Sequence, residues 1–379
     1  MTKRIVIVGG GTGGTVAANL LARALYNQLI NGKVIISMIA EKEEHVYQPG
    51  FLYIAFDKVR PDEIVKKQKE LIDSHINLFI DPAKKIDRDG NVVITESGTE
   101  FPYDYLIVAT GSRVVLEEIP GLSEGAHHFY EMEAAKKLRD QLRNFDGGRI
   151  AVTVGVPHKC PVAPLEFTFM LHDYFEQREI RDKVEIYYTY PINRLHALEP
   201  VSNWTVPQFE KKNIKSETLF NMEEIDPVKK LVKTMEGTEL NYDFLVAIPP
   251  HKGAPVIEES GLGKDGWVPT DKKRLLNEGY ENVYVVGDTT NIPISKAGST
   301  AHFEADVVAE RIAAEILEGD SSTEYDGKVV CFVETGFEEA TYVWFNYKVP
   351  PSPTPPSRML HWMKLGYNKL YWLSARGIM

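Results

Sequence analysis

Cysteine is scarce in this chain. Only Cys160 and Cys331 occur in 379 residues, and they lie far apart. That excludes a disulfide framework and a cysteine-based zinc site, and no metal is expected. Two distant cysteines are usually unrelated buried thiols, so any pairing has to be argued from their neighbours. No uninterrupted apolar run reaches transmembrane length. Basic residues are outnumbered, 43 Lys and Arg against 54 Asp and Glu, a net charge of -11. Such a chain lacks the basic footprint of a nucleic-acid binder, so no nucleic-acid partner is expected. Little stands before the first apolar strand, which predicts no signal peptide. A chain of this length holds two or more domains and buries a sizeable core.

The first fourteen residues, MTKRIVIVGGGTGG, carry the strongest positive signal. An apolar strand breaks into Gly9, Gly11 and Gly14, and a helical pattern follows. Strand, G-x-G-x-x-G turn and helix together form a dinucleotide-binding fingerprint. The glycines admit a pyrophosphate to the backbone, and the helix N-terminus faces its charge. Glu41, just after a second apolar run at 34–39, is placed to accept from a ribose hydroxyl. Short strands are expected at 78–80 and 92–95, and the apolar strand 105–108 ends in Ala109-Thr110-Gly111.

A second strand-then-glycine unit opens at 148–155. A nicotinamide-binding unit would show another G-x-G-x-x-G here, but the chain reads GVPHKCPVAPLE. The strand pattern repeats while the phosphate cradle does not. Phe167, Met170, Leu171 and Tyr174 recur at helical spacing and read as core. Later strands are expected at 184–188, 244–248 and 283–286, with a helix at 301–317. Gly287-Asp288, at a strand end, suits a ribityl hydroxyl or a turn cap. Lys296 and the helix start near Gly298 would put positive charge beside a flavin, stabilising its anionic reduced form.

Cys160 lies where the second glycine loop should be, just before a helix. The dipole, Lys159 and His158 predict a thiolate more accessible than that of a free cysteine. Cys331 lies in an apolar, strand-like stretch, where the bland reading is a core thiol. Glu166 is either a proton relay or a helix-start acid, and His196 a weaker base candidate. After Glu339 no acidic residue remains, while Lys348, Arg358, Lys364, Lys369 and Arg376 do. A proline-rich spacer, VPPSPTPPS, precedes SRMLHWMKLGYNKLYWLSARG. Basic residues interleaved with tryptophan and tyrosine predict an interfacial helix on an anionic membrane, rather than one docked on its own protein.

This order of parts resembles the sulfide:quinone oxidoreductase and flavocytochrome c sulfide dehydrogenase family of two-dinucleotide-binding flavoproteins. The matching features are the first fingerprint, the A-T-G strand, and Cys160-Pro161 with Glu166 replacing the second nucleotide loop. Gly287-Asp288, Lys296-Ala297-Gly298, a late cysteine and the amphipathic end complete it. Some members have a third cysteine where this chain reads GAHHFYEMEAAKKL. The resemblance implies an α/β fold of two tandem Rossmann-like dinucleotide-binding domains plus an amphipathic, membrane-associating C-terminal segment. The expected division is an FAD domain in 1–147 and a second Rossmann-like domain in 148–250. Residues 251–330 return to the FAD domain, and 331–379 hold the late cysteine, spacer and helix.

The same resemblance implies FAD held by Gly9, Gly11, Gly14, Glu41, Pro49, Ala109, Thr110, Gly111, Gly287, Asp288, Lys296 and Gly298. It implies a Cys160/Cys331 redox pair, with Cys160 the sulfide acceptor and Cys331 facing the flavin. Phe337, Tyr342, Trp344 and Phe345 are candidate quinone aromatics. The expected enzyme is peripheral on the cell membrane, on the cytoplasmic side, either monomeric or a homo-oligomer. Competing readings are a type II NADH:quinone oxidoreductase, a sulfide or persulfide dehydrogenase with another acceptor, and a non-catalytic flavin scaffold. The first needs the second glycine fingerprint, which GVPHKCPV lacks.

Overall fold

In the computed structural model, residues 1–378 are described. Strands Lys3–Val8, Val34–Ala40, Ile76–Ile80, Tyr105–Val108 and Val283–Val285 form a parallel sheet. Lys3–Val8 lies at its centre, and Val283–Val285 at one edge. The helices Thr12–Ala24 and Gly298–Ile316 pack on this sheet and on each other. Ile5, Ile7, Val16, Leu21, Ile107, Tyr284 and Ile312 share that core. Each large apolar side chain buried there contributes about 1.5–3 kcal/mol.

Two glycines make the close approach possible. A Cβ at Gly14 would fall 2.0 Å from the Gly9 carbonyl oxygen. Gly9, at φ +119, would meet the Ala109 carbonyl at 2.2 Å. The helix therefore seats directly on the strand end, beside the A-T-G turn.

A second parallel sheet runs in the order Lys215–Thr218, Val184–Tyr190, Gly148–Val154, Phe244–Ile248. The expected core face of the helix Ala163–Gln177 is buried at Phe167, Met170 and Leu171. The chain thus presents two parallel α/β layers in a mixed α/β fold.

Strand Val329–Glu334 then pairs antiparallel with Ala340–Phe345, with Cys331 opposite Val343. The proline-rich spacer folds back, and Ser357 exchanges backbone hydrogen bonds with Ala340 at 3.0 and 3.2 Å. Ser357 also caps the final helix, Arg358–Ala375, accepting from the Leu360 amide.

That helix differs from the sequence expectation. It docks on its own protein through Lys364, Tyr371 and Ala375, which are buried. Tyr371 reaches Thr12 Oγ1 at 2.8 Å and His45 Nε2 at 2.6 Å. The Asn19 side chain donates to the Ala375 carbonyl. The opposite face leaves Met359, Trp362, Met363, Leu370 and Leu373 exposed. Sequence alone shows the amphipathicity but not the partner of the buried stripe. Among the described residues no helix is long and apolar enough to cross a membrane.

Candidate active site

The residues expected to hold a dinucleotide gather at the carboxyl end of the first sheet. Gly11 is open: a Cβ there meets nothing within 4 Å. Gly111 and Gly298 are open in the same way, which leaves room for a ligand beside backbone. Glu41 follows strand Val34–Ala40 and is exposed. Thr110 donates to Thr289 at 3.0 Å, and Ser112 to Asp288 Oδ2 at 3.1 Å. The A-T-G turn and the Gly287-Asp288 turn are therefore joined side chain to side chain. Gly287 donates its amide to the buried Glu304 carboxyl at 2.6 Å. Burial pushes Glu304 up to about 8.

Pro49 precedes the buried helix Gly50–Ala55, and its neighbour Gln48 accepts from Lys159 at 2.6 Å. That bond ties the first unit to the cysteine loop of the second. In that loop Gly155 is tight rather than open, its Cβ position lying 2.9 Å from the Ile248 carbonyl oxygen.

Cys160 adopts left-handed backbone at φ 51. For a non-glycine residue this costs about 1–2 kcal/mol. Its amide donates to the Lys296 carbonyl at 2.9 Å, and its carbonyl accepts from Ala163 at 3.0 Å. Tyr130 donates to the preceding carbonyl, that of Lys159, at 3.3 Å. Cys160 and Cys331 are both free thiols, half-buried, and pack against one apolar cluster of Val162, Val329, Val333, Val343 and Phe345. The fold sets two cysteines that are far apart in sequence against the same apolar cluster.

The charge expected around Cys160 is corrected. Burial, reinforced by the Glu166 carboxylate, pushes its thiol up to about 12. Burial also raises the Cys331 thiol, and Cys160 raises it further. His158 does not supply charge, because burial drops its imidazole to about 4. Lys159 turns away, to Gln48 and to Asp288 Oδ2 at 4.0 Å. The helix start is also used otherwise, since it is the carbonyl of Cys160 that meets the Ala163 amide.

Lys296 is tied to backbone rather than free in solvent. Its ammonium donates to the carbonyls of Asp288 and Thr290, at 2.8 and 2.6 Å, over the Trp267 ring. It pins the loop that receives Cys160. Burial lowers its pKa. His196 is buried and stacks on Tyr190, accepting from the Leu198 amide at 3.0 Å. Burial lowers it to about 4.

Glu166 is buried and forms an ion pair with Lys364 of the C-terminal helix. Burial raises the Glu166 carboxyl, while Lys364 opposes the rise. Burial opposes the charge on Lys364, but Glu166 and Glu334 hold it above the usual lysine value. The Glu334 amide donates to Glu166 Oε1 at 2.8 Å. The Glu334 carboxyl accepts from Tyr53 at 2.7 Å and lies 2.9 Å from His361 Nδ1. Sequence reasoning missed Lys364, Glu334 and His361. The signal was a polar stripe, His361, Lys364, Asn368 and Tyr371, along one face of the helix.

The four quinone aromatics do not converge. Phe345 points into the cysteine cluster, while Tyr342 packs at a tilt against Phe332, ring centroids 5.1 Å apart, on the other face. Trp344 is exposed. Phe337 lies apart, against Phe56 and beneath Lys58. Strand alternation separates Phe345 from Tyr342 and Trp344, a consequence of register that composition does not carry.

Residues 3–305 match the family model described as pyridine nucleotide-disulphide oxidoreductase. The chain belongs to that family. It is similar to the mitochondrial sulfide:quinone oxidoreductase of Dictyostelium discoideum, 27% identical over 358 residues, covering 91% of this chain and 78% of the relative. The mitochondrial enzyme of the same name from Mus musculus is 25% identical, covering 93% of this chain and 80% of its own. The crystal structure of the Aquifex aeolicus sulfide:quinone oxidoreductase shares the fold at a TM-score of 0.85. It is 22% identical and covers 99% of this chain and 92% of its own. This member of the pyridine nucleotide-disulphide oxidoreductase family is thus an oxidoreductase whose fold those enzymes share.

Proposed function

We propose that this chain is an FAD-dependent sulfide oxidoreductase that passes electrons to a membrane quinone. The observation that carries the reading is the single apolar cluster shared by Cys160 and Cys331, in a unit without a second phosphate cradle. The similarity to sulfide:quinone oxidoreductases over most of the chain supports it. FAD fits the first glycine turn, where Gly11 leaves room and Gly9 and Gly14 seat the helix. Glu41, Pro49, Ala109, Thr110, Gly111, Gly287, Asp288, Lys296 and Gly298 complete its holding set. When bound, FAD supplies a two-electron acceptor beside the cysteines.

In this reading the working form is a Cys160–Cys331 disulfide. Hydrosulfide attacks the Cys160 sulfur and the sulfur–sulfur bond breaks. Cys160 becomes a persulfide and Cys331 leaves as thiolate, so one anion enters and one is formed. Burial and the Glu166 carboxylate oppose the Cys331 thiolate, and Lys364, paired with Glu166, is the cation that favours it. The exposed face of the C-terminal helix, with Trp362 and Met359, meets the membrane surface that holds the quinone.

Anaerobic sulfide treatment, followed by alkylation and peptide mass spectrometry, tests the cysteine roles. The expected result is a one-sulfur gain on the Cys160 peptide and ordinary alkylation of Cys331. A gain on Cys331 alone reverses the roles, and no gain on either removes the mechanism.

A further inference from the structure

Beyond the sulfur cluster, His361 of the C-terminal helix pairs with Glu334, at the end of strand Val329–Glu334, at the border of the helix's exposed apolar face. We propose that His361, oriented by Glu334, is the proton donor to the quinone at that border; this rests on the reading that a quinone is the acceptor. Glu334 is 1% exposed, and both carboxyl oxygens are engaged, one by Tyr53 and one by His361 Nδ1. The His361 side chain is 14% exposed. Its other nitrogen, Nε2, makes no hydrogen bond to the described residues. The neighbouring Trp362 ring lies 6.0 Å away, and Met359, Trp362 and Met363 are exposed beside it. A buried carboxylate on one imidazole nitrogen fixes the orientation of the ring, so that the other nitrogen can take a proton from water and pass it on.

The reaction needs such a donor. Hydrosulfide oxidised to the sulfur level releases one proton and two electrons, whereas quinone takes up two electrons and two protons. Net, hydrosulfide, quinone and one proton give sulfur and quinol. At least one proton per turnover must therefore enter from outside the sulfur site. His361 can pass a proton from solvent to a quinone oxygen, and it regains that proton from water.

The test uses the full chain loaded with FAD, reduced by dithionite or by sulfide and then mixed with a short-chain quinone. His361→Ala should slow re-oxidation on the order of a hundredfold. Imidazole in the buffer should restore much of that loss, and sulfide bleaching should keep its rate. His361→Gln, which keeps a hydrogen-bonding group, should hold the helix in place yet re-oxidise as slowly. In the oxidised protein, quinone should quench a fluorescence component that Trp362→Phe removes, and His361→Ala should weaken that binding. Re-oxidation at the parental rate in both His361 variants would overturn the proposal. So would equal slowing of both half-reactions without imidazole rescue, or quenching that Trp362→Phe leaves intact. If sulfide fails to bleach the parent, the reading of the substrate fails, while the dithionite arm still decides the role of His361.

Discussion

At Gly11 a methyl group would enter open space, whereas at Gly14 it would strike the Gly9 carbonyl. The two positions therefore separate binding from folding. Gly14→Ala should lose several kcal/mol, about the cost of overpacking a core, and give little soluble protein. Gly11→Ala should melt like its parent without cofactor but purify with little bound flavin absorbance. Cys160 offers a second contrast, in pH dependence. Its raised thiol is neutral below the ordinary cysteine range, about pH 8.5, and ionises only near 12. Any stability from keeping it neutral is present below about pH 8.5 and is lost as pH rises through about 12. Glu166 contributes to that rise, so Glu166→Gln should speed alkylation of reduced Cys160 several-fold near pH 8.5. Lys364→Met should slow it. Equal alkylation rates across the three proteins would remove Glu166 and Lys364 from the thiol's environment.

The C-terminal helix joins the first glycine turn to the neighbourhood of Glu166. Lys364 reaches Glu166, and seven positions further along the chain's last helix Tyr371 reaches Thr12, the first residue of helix Thr12–Ala24. Tyr371→Phe removes both hydroxyl contacts, to Thr12 and to His45. The expected cost is about 1–3 kcal/mol in a buried network. A faster release of FAD should accompany it, read by dilution and flavin fluorescence. Unchanged melting and release would mean that the helix end is a passive cover. None of this seat was legible in the aromatic and basic composition of the tail. A buried lysine is decided by a carboxylate far back in the chain, and periodicity shows only that two faces differ.

Across the whole molecule, the readable parts were those whose physics is local. The first strand, the A-T-G strand and the strand before Gly287 all lie in the first sheet, and the glycine turn and helix at the start follow directly from it. The unreadable parts depend on long-range contact. Lys159 and His158 adjoin Cys160 in sequence, yet one turns to Gln48 and the other is half-buried and neutral. The aromatics of the late strand divide between two faces by register. Two α/β layers, one with an open glycine turn and one with prolines and Cys160 in its place, support the proposed reading of a flavoprotein that takes electrons from sulfur rather than from nicotinamide. The most direct measurement is anaerobic stopped-flow absorbance of the FAD-loaded chain against sulfide and against NADH. The account predicts that sulfide bleaches the flavin band, NADH leaves it unchanged, and Cys160→Ser abolishes the sulfide response. Bleaching by NADH, or by sulfide in the Cys160→Ser protein at the parental rate, would contradict it.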